Sequence, residues 1–218
     1  MSTSPLLAFD DTGAGLKQAD CVINALVSSW DQYKANASTA TLYEGPTYLI
    51  LQPLPGRRWE QEINSNRGNN IFLAFGGTDD HHVTQRMLKA LNKIELNLNI
   101  FINLGPGTES DVIKETAITG SPHNIAVVHS EPDLFTRFLE TDLVICGGGI
   151  MLFELAALGV PSAAIATERH EIYNIKYAAN SGFTQALGWE GDMDFTNAAI
   201  EISNLLVENK TRRQMSRR

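Results

Sequence analysis

Short apolar runs alternate with longer segments of helical spacing from residue 71 to the end of the chain. The apolar runs predict six strands, at 71–75, 98–103, 125–129, 143–146, 162–166 and 184–187. Apolar residues three and four positions apart predict helices at 80–94, 110–117, 132–140, 150–158, 172–180 and 194–208. The strands are almost continuously apolar, as in a sheet covered on both faces. The pattern therefore predicts an α/β fold with a Rossmann-like, doubly wound parallel sheet.

The first 65 residues follow a weaker pattern. Three short strand-like runs, at 6–10, 21–26 and 48–52, are separated by segments rich in Gly, Ser, Asn and Pro. Residues 53–70 contain turn-forming Pro, Gly and Asn and have little to bury. We therefore expect a partial α/β domain with its linker at 1–65 and a complete domain at 66–218.

Composition narrows the classes of partner. The net charge of −8 argues against nucleic-acid binding, which depends on clustered Lys and Arg. A C-terminal basic cluster is interpreted as a solvated helix end or tail; its members are Arg212, Arg213, Arg217 and Arg218. No apolar run approaches the ~20 residues of a membrane span, and no signal peptide is recognisable, which predicts a cytoplasmic protein. Neither a metal site nor a cofactor is expected.

Two strands run directly into glycines. After 71–75 come Gly76, Gly77, Thr78 and Asp79, followed by a predicted helix. Such a turn lets a phosphate approach backbone N–H groups at a helix N-terminus. It is equally compatible with a tight strand–helix turn, in which glycine has positive φ and Thr78 or Asp79 caps the helix.

The second glycine turn is Gly147, Gly148 and Gly149, followed by Ile150 at the start of a helix. Glu154 lies one turn into this otherwise apolar helix, where burial without a hydrogen-bonding partner would be costly. A carboxylate can accept both hydroxyls of a nucleotide ribose. The alternative is that Glu154 faces solvent.

A third polar segment, 167–174, follows the strand at 162–166 and should reach the same edge of the sheet. Arg169, His170 and Asn174 are candidates to contact a sugar or the second phosphate, unless the segment is simply a helix entry. His81 and His82 are more typical of exposed residues than of catalytic ones.

The order of these motifs resembles the UDP-sugar hydrolase of pseudaminic acid biosynthesis and its spore-coat polysaccharide relatives. The residues that support this resemblance are Phe-Gly-Gly-Thr-Asp at 75–79, the strand and glycines at 142–149, Glu-Leu-Ala-Ala-Leu-Gly-Val-Pro at 154–161, and Asn174. More distantly, the chain is similar to the C-terminal domain of the family 28 glycosyltransferase that adds N-acetylglucosamine to the lipid-linked peptidoglycan precursor.

The resemblance implies a GT-B enzyme whose second domain binds UDP or a UDP-sugar. The two glycine turns would hold the diphosphate, Glu154 the ribose, and the backbone of 123–129 the uracil. Residues 1–65 would be a remnant of the GT-B N-terminal domain. The family's catalytic histidine lies near the start of that domain and has no counterpart here, so catalytic residues stay unknown and a separate chain is a candidate to supply them.

The chain departs from the family pattern at two places. Ile150 and Met151 replace Ser and Thr, which removes two hydroxyls from the second glycine turn. Arg169, His170 and Glu171 replace Asp-Asn-Gln, so Glu171 adds negative charge facing a diphosphate, whereas Arg169 is a candidate replacement charge. Three functions stay open: part of a UDP-sugar hydrolase of surface-polysaccharide sugar biosynthesis, the donor-binding half of a GT-B glycosyltransferase, or a non-catalytic ligand- or partner-binding module.

Overall fold

A computed structural model describes residues 4–11, 13–26, 39–56, 68–107, 118–129 and 133–218. The chain divides into two compact units, Met1–Gln52 and Pro53–Arg218. The predicted domain boundary between residues 65 and 66 falls among residues 57–67, which lie outside the described ranges, so it stays a prediction. Within the described ranges, no helix combines the length and the apolar composition that crossing a membrane requires.

The first unit contains a three-stranded parallel sheet. Its strands are β1 (Leu7–Phe9), β2 (Cys21–Asn24) and β3 (Thr41–Glu44), in the order β1-β2-β3. The first two strands lie where they were predicted, but the third, predicted at 48–52, is wrong. Gly45 has a φ of +97°, and Pro46–Tyr48 forms a 3-10 turn, so the apolar run after β3 does not form a strand. The residues of β3 alternate between exposed and half-buried, as in a strand with one face packed.

Six parallel strands form the sheet of the second unit. They are β4 (Asn70–Ala74), β5 (Asn99–Leu104), β6 (Asn124–His129), β7 (Leu143–Gly147), β8 (Ser162–Ala166) and β9 (Thr184–Trp189). Their order across the sheet is β6-β5-β4-β7-β8-β9. This is the strand order of the Rossmann fold, in which the winding reverses beside the first strand. All six predicted strands are present.

Helices cover both faces of this sheet. They are α1 (Val83–Leu91), α2 (Leu134–Leu139), α3 (Ile150–Leu158), α4 (Glu171–Ser181), α5 (Phe195–Val207) and α6 (Asn209–Ser216). On one face, α1 and α5 pack together in a buried cluster that includes Ile71 and Leu73. Phe72 points to the other face and contacts Phe138 of α2, with 5.3 Å between the ring centroids. The predicted doubly wound α/β fold is therefore confirmed; the helix predicted at 110–117 lies outside the described residues.

The C-terminal basic cluster differs from the prediction at one residue. Arg212 is only 4% exposed, and its guanidinium donates hydrogen bonds to the carbonyls of Leu205 (2.6 Å) and Leu206. Burial lowers the pKa of Arg212, and the negative charge of Asp142 partly offsets this effect. The prediction of a solvated tail is therefore wrong for Arg212. Its side chain is buried because it donates to the last carbonyls of α5, which have no partner within the helix. The other three arginines of the cluster are exposed.

Candidate functional site

The two glycine turns begin side by side at the carboxyl edge of the second sheet. Ala74, near the end of β4, pairs with Cys146, near the end of β7. The sheet reverses its winding between these two strands. Open α/β sheets bind ligands in the crevice outside such a point. The topology therefore brings residues 76–79 and 147–150 to one place, as the sequence predicted.

The first glycine turn leaves its backbone open. Gly76 has a φ of +81°, and a Cβ added at Gly76 or Gly77 would meet no atom within 4 Å. The Asp79 side chain is already engaged, because it accepts hydrogen bonds from the backbone N–H groups of Val83 (2.8 Å) and Thr84 (3.1 Å). Asp79 therefore caps α1, and the groups left facing the crevice are the glycine backbone and the exposed Thr78.

A second loop, which was not predicted from the sequence, is hydrogen-bonded to the first glycine turn. The N–H of Gly107 donates to the carbonyl of Gly77 at 3.0 Å. A Cβ added at Gly105 would overlap the Gly77 backbone, so this contact requires glycine. The available signal was Gly105-Pro106-Gly107 directly after the strand β5.

The second turn packs closely against α4. The buried Asn174 side chain donates a hydrogen bond to the carbonyl of Gly148 at 2.8 Å. A Cβ added at Gly148 would lie 2.8 Å from the Cβ of Glu171. Asn174 and Gly148 therefore hold the shape of the turn. The ligand contact predicted for Asn174 stays a prediction; in the structure this side chain contacts the turn itself.

Glu154 lies on α3, one turn beyond Gly149. It is half-buried, and burial raises the pKa of its carboxyl above the ordinary value of 4.5. Its carboxylate has no hydrogen bond or ion pair to the part of the chain that the structure describes. Its acceptor oxygens are therefore without a donor among the described residues, on a helix that begins at the second glycine turn.

The remaining predicted residues surround the second turn less closely. Ile150 is 47% exposed at the first position of α3. The Arg169 guanidinium lies over the Trp189 ring, 4.2 Å from its centroid. His170 is exposed at the N-terminal end of α4 and makes no capping bond with its side chain. Arg169 therefore rests on an aromatic ring rather than on the glycine turn.

A charged network, also missed from the sequence, connects three loops at this edge. His81 lies 3.3 Å from Glu190 and 3.5 Å from Glu168, measured between ring nitrogens and carboxylate oxygens. Glu190 is nearly buried, and Arg86 donates to both its carboxylate and its backbone carbonyl. His81 thus links the loop after β4 to the loops after β8 and β9.

The opposite, amino edge of the sheet carries other features. His123 is buried before β6, and its Nε2 lies 2.9 Å from the carbonyl oxygen of Leu91. Of the range 123–129 expected to meet the uracil, only the end near His129 reaches the carboxyl edge. A cavity of about 640 Å³ at the amino edge is lined by Gly68, Asn69, Glu95, Leu96, Asn97, Leu206 and Val207. Among the described residues, no group of three metal-binding side chains occurs.

The second unit thus has the Rossmann strand order, with two glycine turns at the switch point of its sheet. No family model matches the chain. The spore coat polysaccharide biosynthesis protein SpsG of Bacillus subtilis is 24% identical over 181 residues, covering 82% of this chain and 53% of SpsG.

A second relative is the UDP-N-acetylglucosamine–N-acetylmuramyl-(pentapeptide) pyrophosphoryl-undecaprenol N-acetylglucosamine transferase of Acinetobacter baumannii. It is 27% identical over 135 residues, covering 59% of this chain and 36% of the transferase. The crystal structure of Acinetobacter baumannii MurG matches with a TM-score of 0.74 and 17% identity, covering 99% of this chain and 62% of MurG. The chain therefore has a GT-B glycosyltransferase-like fold and spans about a third to a half of these curated relatives. Neither relative is named as a UDP-sugar hydrolase.

Proposed function

We propose that the unit Pro53–Arg218 binds the nucleoside diphosphate of a nucleotide sugar, as the donor-binding half of a GT-B glycosyltransferase-like enzyme. One observation carries the proposal: an open glycine turn and a second, tightly packed one meet at the switch point of the sheet, and Glu154, one helical turn further along, has no partner among the described residues. Backbone N–H groups at helix N-termini favour phosphate, and the carboxylate favours hydroxyls.

The proposed contacts follow from the chemistry of each group. The diphosphate is bound by backbone N–H groups of 76–78 and 147–150, and the ribose hydroxyls donate to Glu154. Uracil is the proposed base, because the Acinetobacter relative is named for a UDP-sugar donor. The same name favours transfer to an acceptor over hydrolysis.

The acceptor is proposed to bind elsewhere. The relatives are about two to three times as long as the segments they share with this chain, so further residues contribute to their activity. We propose that acceptor-binding and catalytic groups belong to another domain, of the same protein or of a separate chain. We also propose that the protein is cytoplasmic, as the sequence predicts.

Calorimetric titration of the chain with UDP tests the donor site. We expect saturable binding that Glu154→Ala weakens at least about tenfold, or ~1.4 kcal/mol. Glu95→Ala is the matched control, because Glu95 is an exposed carboxylate at the amino edge and should leave the affinity unchanged. Absence of binding at millimolar UDP would refute the proposal and favour a non-catalytic module.

A further inference from the structure

The last helix, α6, lies along the amino edge of the second sheet. In the middle of α6, the guanidinium of the buried Arg212 would lie 2.8 Å from a Cβ added at Gly68, which stands shortly before β4. Beyond its end, Nε of Arg218 would lie 3.4 Å from a Cβ added at Gly182, which ends α4 shortly before β9. Because both glycines precede strands, α6 lies on the edge opposite the two glycine turns.

Every charged side chain of α6 is positive. Lys210, Arg213 and Arg217 lie three and four positions apart, so they share one side of the helix, and all three are exposed. Arg218 follows them directly and is exposed as well. Within the described ranges, none of these four side chains forms an ion pair with a carboxylate. The outer side of α6 is therefore strongly cationic, on a chain whose net charge is −8.

Helix geometry does not account for this cationic row. Cations are favourable in the last turn of a helix, which suits Arg217. Lys210, however, lies in the first turn, where the helix dipole disfavours a positive charge. Like charges three and four residues apart also repel each other. The row therefore opposes the stability of α6, and a negatively charged partner would remove this repulsion.

Aliphatic side chains are exposed at the end of α5, next to this row. Val207, the last residue of α5, is 65% exposed, and Ile200, which lies two turns earlier on the same side, is 52% exposed. A bilayer with anionic lipids attracts clustered cations and also takes up aliphatic side chains at its interface. A nucleic acid would engage the cations alone. We propose that α6 and the end of α5 bind the surface of a bilayer that contains anionic lipids.

Co-sedimentation of the full chain with lipid vesicles tests this inference. We expect binding to phosphatidylcholine vesicles that contain about one third phosphatidylglycerol, and none to pure phosphatidylcholine at the same lipid concentration. A chain with Lys210→Gln, Arg213→Gln and Arg217→Gln should bind the anionic vesicles at least about thirtyfold more weakly, because each cation at such a surface contributes about fivefold. Val207→Ser should weaken binding at least about threefold, since the bilayer no longer takes up the isopropyl group.

A matched control removes the same charge elsewhere. It carries Lys17→Gln, Lys89→Gln and Lys176→Gln, three exposed cations outside α5 and α6. This chain should keep the vesicle affinity of the wild type within about twofold, because only cations close to the bilayer contribute. Thermal unfolding of each variant checks that it is folded. Should the triple variant of α6 fail to fold, Arg213→Gln alone replaces it, with an expected loss of about fivefold.

Three results would overturn the inference: no binding of the wild type to anionic vesicles, full binding by a folded α6 variant, or an equal loss in the control chain. Unchanged vesicle affinity in Val207→Ser, together with equally tight binding of the wild type to a DNA duplex, would assign the row to polyanions in general rather than to a bilayer. The inference does not rest on the proposed function, because UDP titration reports on the opposite edge of the sheet.

Discussion

At the scale of single residues, Glu154 combines a cost to folding stability with a proposed role in ribose binding. It is the one ionisable residue of the helix α3, is half-buried, and has no partner within the described ranges. Burial raises the pKa of its carboxyl, so the folded state holds its proton more tightly than the unfolded state does. The ionised carboxylate therefore lowers the free energy of unfolding as the pH rises above the unfolded-state pKa. A ligand that donates hydrogen bonds to it would offset this cost.

Glu154→Gln should separate the two effects. We expect the variant to match the wild type in urea midpoint near about pH 4 and to exceed it near about pH 7, because only the wild type ionises there. The same substitution should weaken UDP binding about tenfold, since an amide offers a single acceptor oxygen to two hydroxyls.

Urea unfolding at both pH values, paired with UDP titration, checks this prediction. A variant that is less stable than the wild type at neutral pH would show that Glu154 has a structural partner. Unchanged UDP affinity would show that the ribose does not contact this residue.

At the scale of elements, the glycines of the site divide into two kinds. Gly105 is required for packing, because a Cβ there would overlap the backbone of Gly77. Gly77 has open space around the Cβ position and is not among the glycines with positive φ. Its side of the turn is therefore free for a ligand to approach.

Alanine substitutions should distinguish these roles. Gly105→Ala should lower the free energy of unfolding by about 1–3 kcal/mol, the usual cost of overpacking. Gly77→Ala should change it by less than ~0.5 kcal/mol, yet weaken UDP binding at least about tenfold, because the methyl group occupies the space proposed for phosphate. Chemical denaturation and UDP titration measure both quantities; full UDP affinity in Gly77→Ala would place the diphosphate elsewhere.

The sequence predicted the strands of the second unit well, because strands buried on both faces give continuous apolar runs between amphipathic helices. It predicted the glycine turns because their residue types require special backbone geometry. It predicted Thr78 or Asp79 as the cap of α1, and Asp79 is the residue that caps it. It did not show that Asn174 holds Gly148, since that contact depends on which elements pack together. β3 and α6 were not predicted because both are short and α6 is largely polar, so neither gives a clear apolar pattern.

At the scale of the whole second unit, the two edges of the sheet serve different purposes. The carboxyl edge holds the two glycine turns, whereas the amino edge holds buried polar contacts beside the cavity near Gly68. Asp142 accepts hydrogen bonds from the N–H groups of Asn69 (3.1 Å) and Asn70 (3.0 Å), and Arg212 caps the end of α5. Stability and ligand binding should therefore respond to different substitutions.

Arg212→Leu tests this separation. Losing the charged hydrogen bonds to the α5 carbonyls should lower the free energy of unfolding by about 2–3 kcal/mol. UDP affinity, measured below the unfolding temperature, should stay within about twofold of wild type, a difference under ~0.5 kcal/mol. A large loss of affinity in a chain that is still folded would mean that the two edges are coupled.

The central claim is that the switch point between β4 and β7 binds a nucleoside diphosphate. The most direct measurement is a two-dimensional NMR titration of the isotope-labelled chain with UDP, following backbone amides. The account predicts saturable shifts at Gly76, Gly77 and 147–149, together with Glu154. Shifts confined to the amino-edge cavity at 68–69 and 95–97, or no shifts at millimolar UDP, would contradict it.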